Sequence, residues 1–195
     1  EGAVYAKLAE VVAEEDAAAS KDYLEKGFAA FPQSQEILIG LINYYMKSGE
    51  QPDRLFELLN GAKANEPNNA SLYYVEGTIC EKLGKEDEAL AAYRKCAEIN
   101  PAYEYGYIGE GVLLYNKAVA IQEKASTEMD DAKYMALMGE FETALKGCVA
   151  PFEKAFELTK DDAVKSSLAE YLKNACFRFR TADPDFSAKY EKYNG

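Results

Sequence analysis

Chemistry at a protein site calls for an imidazole, an activated thiol, a converging pair of carboxylates or a metal cluster, and residue types limit which of these a chain can build. The 195-residue chain has no histidine. Ser-His and Cys-His nucleophilic pairs, histidine-ligated zinc and imidazole general bases are thereby excluded. The four cysteines, Cys80, Cys96, Cys148 and Cys176, stand 16, 52 and 28 residues apart without a CxxC, so the usual zinc and thioredoxin-like spacings are missing. Each sits among apolar helical positions, which favours buried free thiols over disulfides. Carboxylates are plentiful. Glu10, Glu14 and Glu15, and Glu86, Asp87 and Glu88, are dense enough to hold an acid pair of the glycosidase kind. Solvated helix faces explain them more simply, the second group placing negative charge near a helix start. The expectation is no catalytic residue, no metal and no cofactor.

Three further motifs reduce to structure. Gly106, Gly109 and Gly111 form GxxGxG rather than the dinucleotide order GxGxxG, and no strand precedes them, so close helix packing is expected there. Asn69-Ala70-Ser71 has the letters of a glycosylation sequon in a linking turn. Three of the four methionines, Met129, Met135 and Met138, gather in one stretch, which suits a second, adaptable partner surface if exposed, while the favoured expectation is a packed face of Tyr134, Leu137, Met138, Phe141 and Leu145 against Val112 and Val119. Lys plus Arg number 22 against 34 Asp plus Glu, a net charge of −12. That sign opposes nucleic acid and anionic membrane surfaces, which bind clustered Lys and Arg. No apolar run approaches the ~18 residues of a membrane helix. The numbering opens on Glu1 rather than methionine and on no charged-then-apolar leader, which reads as a processed or excised form. Tryptophan is absent, while 15 tyrosines and 9 phenylalanines carry the aromatic mass.

The elements that would position these residues repeat. Pro32, Pro67 and Pro101 are 35 and 34 residues apart, and each ends one amphipathic run and precedes another. Turn signals split each period in two, Ser48-Gly49-Glu50 in one unit and Leu83-Gly84-Lys85 in the next. Two helices per ~34 residues make an α-solenoid unit. After Pro101 the next second-helix signature, Phe152 to Leu158, comes late, with Lys160 in the terminator's place 59 residues on. Two lengthened antiparallel helices, roughly 104–125 and 131–160, fill the excess and join near Ser126-Thr127. Pro151 predicts a kink or break near Cys148 to Pro151. Asp161-Asp162 then caps a helix carrying Val164, Leu168, Tyr171, Leu172, Ala175 and Phe179, and Phe186, Tyr190 and Tyr193 predict a short returning helix.

From Asn69 to Pro101 the residues resemble the tetratricopeptide repeat. Tyr73 stands at its first aromatic position and Gly77 where the partner helix approaches. Leu83-Gly84 marks the turn, Ala89 the small residue of the second helix, Tyr93 the next aromatic, Cys96 a small position and Pro101 the terminator. The preceding unit keeps Leu38, Leu41, Ile42, Tyr45, Leu55, Leu59 and Ala62, with Gln51 and Pro52 lengthening its turn. The resemblance implies an all-α, right-handed α-α superhelix with one elongated hairpin and a capping helix. Its expected divisions are a partial repeat over 1–32, repeats over 33–67 and 68–101, an elongated repeat over 102–160, and a capping helix and tail over 161–195.

The resemblance also implies a concave groove lined by first helices. Mapped by the repeat, its positions are Glu36, Ile39, Asn43 and Met46, then Tyr74, Thr78 and Glu81, then Tyr105, Ile108, Val112 and Tyr115. Tyr74, Tyr105 and Tyr115 are the expected anchors, being rigid aromatics with a polar tip. A variant of the fold clamps a peptide's terminal carboxylate with lysine, asparagine and basic residues. Asn43 matches it, but Ile39, Val75, Tyr105 and Gly109 replace the rest, so an acidic tail finds little to pair with. The expected function is a non-enzymatic scaffold for a protein or peptide that is neutral to basic with apolar anchors, with no nucleic acid and no membrane insertion. Two alternatives stay open: a small-molecule or glycan module using the tyrosine-rich groove, and end-to-end assembly into a homo-oligomer. The whole sequence, including the stretches from Tyr115 to Val119 and from Glu170 to Arg180, resembles exported tetratricopeptide-repeat proteins of Bacteroides, which implies an exported or periplasmic location and a place at the carboxy-terminal end of a longer solenoid.

Overall fold

The computed structural model describes residues 2–32, 34–48 and 53–194, and among them it contains helices and no strand. They are α1 (Gly2–Val12), α2 (Ala17–Ala30), α3 (Gln35–Ser48), α4 (Asp53–Asn65), α5 (Ala70–Lys82), α6 (Glu86–Ile99), α7 (Glu104–Ser126), α8 (Asp131–Gly147), α9 (Val149–Leu158), α10 (Asp162–Phe179) and α11 (Pro184–Tyr193). The expected turn through Gly49 and Glu50, its extension by Gln51 and Pro52, and the side chains of Ile42 and Met46 lie outside what is described.

Local chemistry sets the helix ends. Pro32, Pro67 and Pro101 fall in the turns after α2, α4 and α6, where no helical N–H is needed. Asp16, Asn69, Asp130, Asp161 and Asp183 each accept a backbone N–H of the helix that follows, satisfying one of its orphan donors. Asn69 is thus occupied in place: its Oδ1 also accepts from the Ser71 hydroxyl at 2.7 Å, and its amide donates to Glu66 at 2.9 Å. Between α5 and α6 the chain reverses at Gly84, whose φ of +72° suits a residue without Cβ.

The odd-numbered helices pack in a row, α1 on α3, α3 on α5 and α5 on α7, while α2, α4 and α6 each pack against the helix that follows. This is an α-α superhelix. Its N-terminal core is built on Leu24, Phe28, Ile37, Leu41, Leu59 and Ile79. The C-terminal core gathers Phe141, Phe152, Leu168, Leu172 and Phe179, and a small cluster of Cys80, Ala89, Tyr93 and Leu113 joins the two. All four cysteines are buried free thiols.

The long hairpin breaks where Pro151 predicts it and packs less fully than expected. Its second arm is two helices, parted at Cys148, because Pro151 has no N–H to offer the preceding turn. The Cys148 thiol donates to the Leu145 carbonyl at 3.0 Å across that junction. The expected packed face is only partly right. Leu137, Phe141 and Leu145 are buried with Ala144, but Tyr134 and Val119 are exposed. The two arms pack chiefly on each other. Met129 and Met135 are exposed as well, at 95% and 67%. The C-terminal end is closed by α11, with Phe186 against Phe179, Tyr193 against Phe156, and Lys189 paired to Glu153 at 2.8 Å.

Candidate functional site

Glycine lets α5, α6 and α7 close around one ring. A Cβ on Gly77 would lie 2.5 Å from the Tyr93 ring, and so would one on Gly109 from the other helix. Tyr93 of α6 is therefore held between two notches and is almost wholly buried. On the next turns of α7, a Cβ on Gly106 would lie 2.9 Å from the Ala97 nitrogen and one on Gly111 2.6 Å from the Phe152 ring. The glycine run is a packing device.

Tyr93 is also the inner end of a line of rings. Its hydroxyl donates to Glu81 at 2.8 Å, and burial together with that bond raises its pKa well above the ordinary phenol value. The Tyr74 ring lies 5.9 Å from Tyr93, Tyr105 lies 5.5 Å from Tyr74, and Tyr103 lies 5.2 Å from Tyr105. All three contacts are tilted, within the range where aromatic pairs attract. The line runs from the buried joint between α5 and α7 to the surface, where Tyr105 is 41% exposed. Thr78 borders it, with its hydroxyl donating to the Tyr74 carbonyl at 3.1 Å. Burial raises the Tyr74 pKa, which keeps that phenol neutral.

Of the expected groove positions, Tyr74, Thr78, Glu81 and Tyr105 come together here. Asn43 stands apart, exposed on α3, where it lines a largely apolar cavity of about 490 Å³ between α1, α2 and α3 with Ala9, Ser20 and Leu24. Ile108 and Val112 are half-buried against the C-terminal core. Tyr115 belongs to that core too, edge-on to Tyr171 of α10 at 4.9 Å, because the long α7 also packs against α8 and α9. Tyr103 joins the ladder from a position the repeat does not mark: it precedes the first turn of α7, and a register counted along helices skips it. Among the described residues there is no group of three or more His, Cys, Asp or Glu that could hold a metal, and no helix is long and apolar enough to cross a membrane.

Residues 70–103 match the family model of the tetratricopeptide repeat. The matched stretch is the α5–α6 pair that carries most of the ladder. A TPR repeat-containing protein of Methanocaldococcus jannaschii is 36% identical over 95 residues, which is 46% of this chain and 16% of that protein. The chain therefore spans a small part of that relative's length. Among solved structures, a monomeric mutant of IFIT1 in complex with Gppp-AAAA superposes with a TM-score of 0.61 at 14% identity, over 98% of this chain and 39% of that one. A thermophilic TPR protein of Thermus thermophilus superposes with a TM-score of 0.53 at 19% identity, over 99% and 98% of the two chains. At these identities the likenesses speak for the fold alone. The described residues form an all-helical solenoid, and residues 70–103 of it match a tetratricopeptide repeat.

Proposed function

We propose that the protein is a non-enzymatic scaffold that binds a peptide or partner protein along the face where α3, α5 and α7 lie side by side. The observation that carries this reading is the tyrosine ladder between α5 and α7. Rigid aromatic side chains with a polar tip lose little freedom on binding and recur as anchors at the centres of interfaces. Tyr74, Thr78, Glu81 and Tyr105 form the inner contact surface in this proposal, with Asn43 extending it along α3. Ile108, Val112 and Tyr115 contribute at its far end through their exposed edges.

The partner is neutral to basic, since none of these positions is a lysine or arginine and the chain carries −12 overall. The charge also speaks against carrying over the oligonucleotide in the IFIT1 complex. The division into repeats at 32, 67, 101 and 160 belongs to the same proposal, as does the exported location implied by the resemblance to Bacteroides proteins. Affinity capture from the source cells compares the parent with Tyr74→Ala combined with Tyr105→Ala. Partners lost by the double variant and kept by an exposed control, Lys95→Ala, support the groove. An unchanged set of captured proteins sinks it. The stacked rings equally suit a sugar, and a thermal-shift screen of glycans tests that second reading through ligand-dependent stabilisation.

A further inference from the structure

The chain's own cations cover several of its surface rings. Lys63 Nζ lies 5.4 Å from the centre of the Tyr73 ring, and the Arg180 guanidinium lies 3.4 Å from that of Phe177. Such contacts draw positive charge to the negative face of the ring quadrupole. Tyr74 and Tyr105 differ: their ring contacts are to other tyrosines, and among the described residues no cation stands over either. Neither neighbour of Tyr105 lies flat on it, the interplanar angles being 54° and 49°. The ladder ends inward on the Glu81 carboxylate, and Glu36 is exposed on α3 beside α5. The surface therefore combines an available phenol face, carboxylates and no basic groove residue.

We propose that this ladder receives the guanidinium of an arginine side chain on the partner, laid against the face of Tyr105 in a groove whose charged positions are carboxylates. This rests on the groove reading and names the anchor that the groove takes. Arginine fits better than lysine because its guanidinium is planar, weakly hydrated and stacks on rings, whereas a compact ammonium keeps its water. A carboxylate-bearing anchor would find no cation among the groove positions.

The test uses N-acetyl-argininamide as the probe and N-acetyl-citrullinamide, its planar uncharged counterpart, as the control. The readout is the set of tyrosine ring resonances of the ring-labelled protein. The arginine probe is expected to bind about two- to fivefold more tightly than the citrulline probe, the ratio that ~0.5–1 kcal/mol of exposed cation–ring attraction gives. The advantage is expected to shrink with added salt. Tyr105→Leu should abolish it and Tyr105→Phe should retain it, both at an exposed position where helix content by circular dichroism verifies folding. Equal binding of the two probes, an advantage that survives Tyr105→Leu, or N-acetylglucosamine binding as tightly as the arginine probe overturns the proposal. Failure of the groove reading looks different: captured proteins unaffected by the tyrosine changes while the arginine probe still selects Tyr105. Captured proteins lost on Tyr105→Leu with the two probes equal overturns only the arginine anchor.

Discussion

Single atoms decide how closely α5, α6 and α7 approach, and glycines at different places should respond oppositely to the same methyl group. At Gly109 an added Cβ meets the Tyr93 ring, which cannot retreat because Gly77 grips its other side. Gly109→Ala is expected to cost about 1–3 kcal/mol, the usual range for overpacking a filled core. Gly139, exposed in the middle of α8, has nothing within 4 Å of such a Cβ. Gly139→Ala should raise stability by about 0.5–1 kcal/mol, through helix propensity alone. Urea unfolding of the two variants reads both signs, and equal shifts would contradict the packing account. The buried thiols make a second prediction at this scale. Burial raises Cys148 to about 12 and Cys96 and Cys176 to about 11. An unfolded thiol ionises near 8.5. Between those values the unfolded chain has lost protons that the fold retains, so stability is fully present below pH 8.5 and falls as pH rises towards 11. The urea midpoint should decline steadily from pH 8.5 to 10.5, and more gently in Cys148→Ala than in the parent.

At the scale of the element, α11 is a terminal piece that packs on α10 and is tied to α9. Its charged tie is Lys189 to Glu153, each about a quarter exposed, with the Tyr193 hydroxyl donating to the other carboxylate oxygen at 3.3 Å. Glu153→Gln should weaken docking by about 0.5–1 kcal/mol, less at high salt, as expected for a partly exposed pair. Hydrogen exchange should then quicken in α11 while α5 and α6 keep their protection; equal quickening in both would show that α11 is no separate unit. The elements themselves were legible in the sequence because their signals are local. Proline spacing, Asp and Asn caps and Gly84 lie within a few residues of what they determine. The break at Cys148 was legible for the same reason, since Pro151 carries its cause in its own ring. What escaped depends on how far apart helices run in space. Tyr115 has the repeat's spacing for a groove residue, but α7 outlasts α5 and goes on to pack against α8 and α9, and the Tyr115 ring meets Tyr171 of α10. Tyr134 and Val119 escaped likewise, because heptad-like spacing says which face is apolar and not whether a second helix reaches it.

Across the whole molecule, the N-terminal and C-terminal cores are separate apolar clusters, joined through the small group centred on Tyr93. A solenoid arranged this way has stability that is nearly a sum of local terms and neighbour interfaces, so damage in one core should spread only as far as the joint lets it. Leu41 is fully buried in the N-terminal core, and Leu41→Ala should cost about 2–5 kcal/mol by leaving a cavity. Exchange protection is expected to fall in α1 to α4 well before α9 and α10 respond. Tyr93→Leu removes the ring from between Gly77 and Gly109 and the bond to Glu81, which cuts the coupling rather than either core. In that background the two halves should melt in resolved steps, where the parent shows steps closer together. If Tyr93→Leu merely lowers a single sharp transition, the joint carries no special coupling, and the ladder built on it would owe its rigidity to the helices instead.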